Sequence, residues 1–298
     1  MIRYRKLGYV ALNVSDVERA RTWYESMIGL KFNGFGDSGE CFFRASSDHH
    51  NLILHRGDKP GLKRIGWELE SEAQLDTVSR QLDRKHVAWR SLDRSECRAL
   101  CVKRCVRMAE PVTGAMLDFY AGMAQMDSPH SPTVAKIQHL SHVVLGTPRY
   151  REAVEFYENV LNFRTSDEID GRINLMRCFP NPYHHSFGIA YSERNCLHHL
   201  NFMVSDSDDL ERAKSRFEHN NVPMVWGGLH PPSGNVFLFF LDPDGLSLEY
   251  GYGMELFPEV GARAARVFPA KPESFDSTGA RRDARMAAHG AIETVVAD

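Results

Sequence analysis

The chain has 298 residues, 43% of them hydrophobic and 25% charged, with a formal net charge of -3. It is long enough for two domain-sized cores and has no basic excess that would suit nucleic acid. No apolar run approaches the roughly 18 residues of a bilayer span, and the opening MIRYRKLGYV has no signal-peptide core, so a cytoplasmic protein is expected. Cys41, Cys97, Cys101, Cys105, Cys178 and Cys196 follow no paired spacing and are expected as free thiols.

In chain order the elements repeat. The strand-and-helix segment GYVALNVSDVERARTWYESMIGLKF, from Gly8, aligns without a gap with SHVVLGTPRYREAVEFYENVLNFRT, from Ser141. Tyr9 falls on His142, Ala20 on Ala153 and Tyr24 on Tyr157, an offset of 133. IGWELES from Ile65 matches LNFMVSD from Leu200 at 135, and TGAMLDFY from Thr113 matches DGLSLEYG from Asp244 at 131. So small a drift describes two copies of one module with short loop insertions.

Within the second copy, LSHVVLG reads as a strand, and Ala153, Phe156, Tyr157, Val160 and Leu161 give the following helix one apolar face. Strand-like runs follow at NLMRCF, SFGIAY and HHLNFMVS, then a helix over 208–220, then VFLFFLD and LSLEYG. This order predicts an α+β protein of tandem βαβββ modules in two domains, each a curled mixed sheet around a concave face. The expected divisions are an N-terminal domain at 1–122, a linker at 123–136 where Ser, Pro and Gly break the pattern, a C-terminal domain at 137–255 and a tail at 256–298. For the tail, the sequence leaves open a short helix or a cover over the site.

The chemistry concentrates in the second copy. His142, His199 and Glu249 stand on three strand-like runs, and alternation can turn all three toward one face. Two imidazoles and one carboxylate form the facial triad of non-haem iron, with positions left open for substrate and dioxygen. In the first copy the same positions hold Tyr9, Arg64 and Asp118, so the module's fold does not itself demand metal ligands there.

With these residues in place, the pattern resembles the type I extradiol ring-cleavage dioxygenases of the vicinal oxygen chelate superfamily over roughly residues 5 to 255. The motifs that carry the resemblance are LSHVVLGT, NPYHHSFGIA, LHHLNFMV, GGLHPPSGN and FFLDPDGLSLEYG. It implies a degenerate first domain, and a catalytic second domain in which His142, His199 and Glu249 bind Fe(II), with Mn(II) accepting the same donors. It further implies that His185 is the acid/base histidine, that His230 holds a substrate oxygen, and that the partners are an aromatic vicinal diol and dioxygen. The reaction implied inserts oxygen beside the diol and opens the ring, in aromatic compound degradation, by a homo-oligomer. One departure stands out: where the family often carries a tyrosine, this chain has Phe239, and Tyr183 is a candidate to supply the missing hydroxyl. Phe187, Phe202, Phe237 and Phe239 are expected around the ring, and Arg177 is a candidate contact for an anionic substituent. The alternatives are an α-keto-acid dioxygenase of the same superfamily, a non-catalytic small-molecule binder and a glyoxalase-like isomerase.

Overall fold

The computed structural model describes residues 1–128, 130–287 and 290–294. Pro129 of the expected linker, and 288–289 and 295–298 of the expected tail, lie outside the described residues. The first half builds β1 (Tyr4–Val14), α1 (Val17–Trp23), β2 (Lys31–Phe35), β3 (Cys41–Arg44), β4 (Leu52–Arg56) and β5 (Gly61–Leu69). It continues with α2 (Ala73–Arg84), β6 (Arg90–Ser91), α3 (Arg94–Ala99), β7 (Val102–Ala109) and β8 (Met116–Met123). The second half builds β9 (Ile137–Thr147), α4 (Tyr150–Asn159), β10 (Phe163–Ile169), β11 (Ile173–Cys178), β12 (Phe187–Tyr191) and β13 (Cys196–Val204). Then come α5 (Asp208–His219), β14 (Met224–Leu229), β15 (Val236–Leu241) and β16 (Ser247–Tyr252). The tail adds β17 (Arg266–Phe268), the single-turn α6 (Pro272–Phe275) and β18 (Ala291–Ile292). No described helix is long and apolar enough to cross a membrane.

The strand orders show the duplication directly. The first sheet runs β2-β3-β4-β1-β5-β8-β7-β6, and the second, read from its β10 end, runs β10-β11-β12-β9-β13-β16-β15-β14. Each half is therefore two βαβββ units joined along an antiparallel seam, β1 with β5 and β9 with β13. β17 extends the second sheet beside β10, while β18 crosses back to pair with β5 of the first. Three strands of the second sheet, β10, β14 and β17, escape the sequence pattern. β10, FRTSDEI, is polar because Asp167 is buried with its carboxylate bound by His184, Arg263 and Arg266, β14 carries two adjacent glycines, Gly227 and Gly228, and β17 is held by its pairing and by Arg266 on Asp167.

Alternation divides each sheet into a core face and a site face. In the second half Val143, Leu145, Leu200, Leu248 and Tyr250 join the main hydrophobic core with α4 and α5, leaving His142, His199 and Glu249 on the other side. A register shift between Leu197 and His199 lets both Leu197 and Leu200 face the core. The first half repeats this irregularity between Ala11 and Leu12, so that Leu62 and Ile65 are core residues on either side of Arg64.

Candidate metal centre

His142 on β9, His199 on β13 and Glu249 on β16 come from neighbouring strands of the second sheet. His142 Nε2 lies 3.1 Å from His199 Nε2 and 3.1 Å from Glu249 Oε2, and His199 Nε2 lies 3.3 Å from the same carboxylate oxygen. Two donors, each about 2.1 Å from a divalent cation and at right angles, are about 3.0 Å apart, so this triangle has the edges of a facial donor set. All three residues are buried. Burial pulls the His199 imidazole down to about 4, which leaves it neutral with a lone pair to give. Burial opposes ionisation of Glu249, but its contacts with His142 and His199 outweigh this and hold the carboxyl well below the usual range. Glu249 Oε1 and both polar atoms of fully buried Asn201, whose backbone pairs with His142 and Glu249, have no hydrogen-bond partner. Two imidazole nitrogens, one carboxylate oxygen and orphaned polar atoms beside them fit a divalent cation.

The triad opens into a cavity of about 660 Å³. Val144, Ile173, Leu175, Trp226 and Phe239 give it apolar walls, and His185 and His230 face the same space. The His185 ring packs 4.2 Å from that of His142, and His230 Nε2 lies 4.0 Å from Glu249 Oε1. Burial pushes the His185 imidazole well below its ordinary value and lowers His230 as well. His230 Nδ1 lies 2.6 Å from the Phe275 carbonyl; since a carbonyl only accepts, Nδ1 carries the proton and Nε2 keeps a lone pair toward the site. Phe239 meets the His199 ring edge-on at 4.9 Å and stacks with Trp226, its cross-strand neighbour, so the apolar packing expected of it is present.

Five residues expected at the ring pocket are outside the cavity lining; Phe237 stacks behind the His230 ring at 3.9 Å. Phe187 packs on Tyr157 and Phe163 in the core, because the bend at Ser186 resets the parity of β12 and turns Gly188 and Ala190, not Phe187, toward the cavity side. Phe202 shares the parity of Leu200 and is also core. Arg177 lies beyond Leu175 on β11, with its guanidinium 4.5 Å from the Phe257 ring, outside the cavity lining. Tyr183 stacks on His139 and bridges to Leu256, so it does not reach the cavity as a hydroxyl donor.

Conversely, much of the cavity wall comes from the tail. Lys271, Pro272, Phe275, Asp276, Arg282 and Met286 line it, so this segment covers the site and also forms a short helix. Asp276 holds the turn by accepting from the backbone N–H groups of Leu229, Thr278 and Ala280, and Met286 packs with Val225, Phe237, Phe239 and Leu241. No apolar period runs through this stretch, and its only sequence signals are Pro272 at a helix start and an aspartate ahead of Gly279. The core-facing elements thus place the triad, and an irregular segment closes the space in front of it.

The Glyoxalase/Bleomycin resistance protein/Dioxygenase superfamily model matches residues 6–98 and 139–250. The biphenyl-2,3-diol 1,2-dioxygenase of Paraburkholderia xenovorans (strain LB400) is 28% identical over 264 residues, covering 83% of this chain and 87% of its own. The crystal structure of the halotolerant catechol dioxygenase BphC superposes with a TM-score of 0.82 at 24% identity over 90% of this chain and 92% of its own. The Mn(II)-bound glyoxalase from Novosphingobium aromaticivorans superposes with a TM-score of 0.86 at 22% identity over 99% of each chain.

Proposed function

Because the chain belongs to the Glyoxalase/Bleomycin resistance protein/Dioxygenase superfamily, we propose that it is an extradiol dioxygenase, opening the ring of a catechol-type vicinal diol with both atoms of dioxygen at Fe(II) held by His142, His199 and Glu249. The observation that carries this reading is the convergence of those three donors in the second half alone, at the floor of an apolar-walled cavity. Bound there, iron would supply open positions for the diol oxygens and dioxygen and a path for electrons between them. The rest falls to the chain's own side chains. Val144, Leu175 and Phe239 offer a flat apolar slot for the ring. His185, kept neutral by burial, takes the proton of a diol hydroxyl and returns it later in the reaction. His230, fixed by the Phe275 carbonyl, presents Nε2 as the acceptor for a second hydroxyl. Phe239 brings no hydroxyl, so the polar contacts to the substrate oxygens come from these two imidazoles. The tail shields the cavity from bulk water. The same proposal takes 1–122 and 137–255 as the two domains, with the second catalytic.

Anaerobic loading with Fe(II), then oxygen uptake with catechol, 3-methylcatechol, 2,3-dihydroxybiphenyl and homoprotocatechuate, tests the reading. A yellow ring-fission product matched to oxygen uptake, absent in His199→Ala, is the expected result. Metal binding without turnover of any diol would sink it in favour of another reaction on the same scaffold, such as a Mn(II)-dependent isomerisation.

A further inference from the structure

The cavity holds an imbalance of charge that the triad does not use. Arg172, Lys271 and Arg282 line it, and none has an ion-pair partner among the described residues. The cavity-lining carboxylates are Glu249 and Asp276. Glu249 is held by His142 and His199, and Asp276 is occupied by the backbone of Leu229, Thr278 and Ala280. Arg282 has its guanidinium 5.7 Å from the ring of Trp226, which also lines the cavity. A cleft lined by uncompensated cations with apolar walls favours an amphiphilic anion. Resting on the ring-cleavage reading for the aromatic part, we propose that the substrate carries a carboxylate on the ring or its side chain, received by Arg282 and Lys271 with Arg172 at the same mouth.

Calorimetry on the metal-free protein with 3-phenylpropionate and its neutral amide reads the site without turnover. The acid is expected to bind about tenfold or more tightly, the scale of one charge-assisted hydrogen bond, with the preference erased in the Arg282→Gln/Lys271→Gln double variant and eroded by salt. Equal affinities, or a preference that survives the double variant, would overturn the proposal. The Fe(II)-loaded protein is then given 3-(2,3-dihydroxyphenyl)propionate and its amide. An acid preference in the metal-free protein with no turnover of either diol upholds the anion site while refuting ring cleavage.

A second inference rests on hydrogen bonds elsewhere. His184 Nε2 lies 2.8 Å from Asp167 Oδ2, and His184 Nδ1 lies 3.1 Å from His185 Nδ1, in a buried chain whose carboxylate also takes Arg263 and Arg266 from the tail. The ionised carboxylate only accepts, so His184 carries its proton on Nε2 and its Nδ1 is an acceptor. His185 must then donate from Nδ1, which leaves Nε2 as its basic nitrogen. The first half repeats the histidine pair, His49 and His50, at the same 3.1 Å, but among the described residues no carboxylate meets His49. The geometry points to Asp167 and His184 as positioning residues that set the tautomer of His185, again on the reading that His185 moves the proton. Nitrogen-15 NMR of the metal-free protein should show His185 protonated at Nδ1, and His184→Leu should scramble it. His184→Asn, whose amide oxygen can accept in place of Nδ1, should restore it. The iron-loaded His184→Leu variant should lose about tenfold to a hundredfold in kcat with KM and metal content little changed, as a wrong tautomer does elsewhere. Protonation of His185 at Nε2 in the wild-type protein, or an unaltered tautomer in His184→Leu, would refute the relay; should His184→Leu fail to fold, Asp167→Asn is read by the same spectrum.

Discussion

The two halves of this molecule have the same strand order and even the same bulge beside the site strand, yet they put opposite chemistry at equivalent positions. Where the second has His142, His199 and Glu249, the register of the first places Tyr9, Arg64 and Asp118. Tyr9 Oη donates to Asp118, Arg107 grips the same carboxylate through two nitrogens at 2.6 and 2.7 Å, and Arg64 stands 3.7 Å away. Arg107 is itself the register equivalent of Phe239. Around this ion-paired knot, Tyr9, Phe42, Tyr120 and two residues at α3, Cys97 and Leu100, make a compact apolar cluster. The second half has no helix between β14 and β15, where α3 lies in the first, but a loop bearing His230. One sheet thus satisfies its buried acid with cations of its own and fills the space, while the other leaves its acid between two imidazoles and keeps the space open. A duplicated fold can afford one closed copy as scaffold and one open copy as site.

The largest effect should come from breaking the open side. His199→Ala or Glu249→Gln removes one of three donors, and we expect metal binding to fail and turnover to fall by about a thousandfold or more, on the scale of losing a transition-state group, checked by metal analysis and oxygen uptake. Asp118→Asn is the matching change on the closed side. It leaves Arg107 and Arg64 without their buried counter-charge and should cost about 3–5 kcal/mol of stability by urea unfolding, while the metal stoichiometry stays that of the wild type. Met286→Ala tests the cover found over the second site only: Met286 is 1% exposed, and truncating a buried methionine costs about 2–5 kcal/mol. That loss, taken locally, should raise the KM for the diol about tenfold, with global unfolding moved much less. The smallest effect is a pH slope from the closed side. Burial pulls His50 down to about 3, with His49 adding to it, whereas the unfolded chain titrates near the ordinary 6.5. Between those values the unfolded state binds the extra proton, so stability is intact above about 6.5 and falls as the pH drops toward 3, by about 1.4 kcal/mol per pH unit. His50→Phe should flatten the acid limb of the unfolding curve; an unchanged slope would show that His50 is not the group responsible.

Much of the site's face was legible because strand parity and duplication are local properties. Tyr9, Arg64 and Asp118 opposite His142, His199 and Glu249 follow from aligning the halves, and the structure brings the latter three to one point. Parity failed where the backbone interrupts it: carrying the parity of His185 through the bend at Ser186 puts Phe187 on the wrong face, and Arg177 has the right parity but sits under Phe257. The repeated His49–His50 pair was visible in the letters, but without distances nothing distinguished it from the pair that Asp167 orients.

The sequence by itself determined the duplicated α+β architecture, the free cysteines and the residues able to ligate a metal, since periodicity, spacing and donor chemistry are written along the chain. Only the tertiary structure decided what closes the cavity and what charge it presents. Lys271, Asp276, Arg282 and Met286 lie in an irregular tail whose place is set by β17 pairing with β10, by Asp276 capping the turn and by β18 crossing to β5. Those contacts join positions far apart in the chain and depend on backbone groups that every residue shares, so they leave no periodic mark in the amino-acid order.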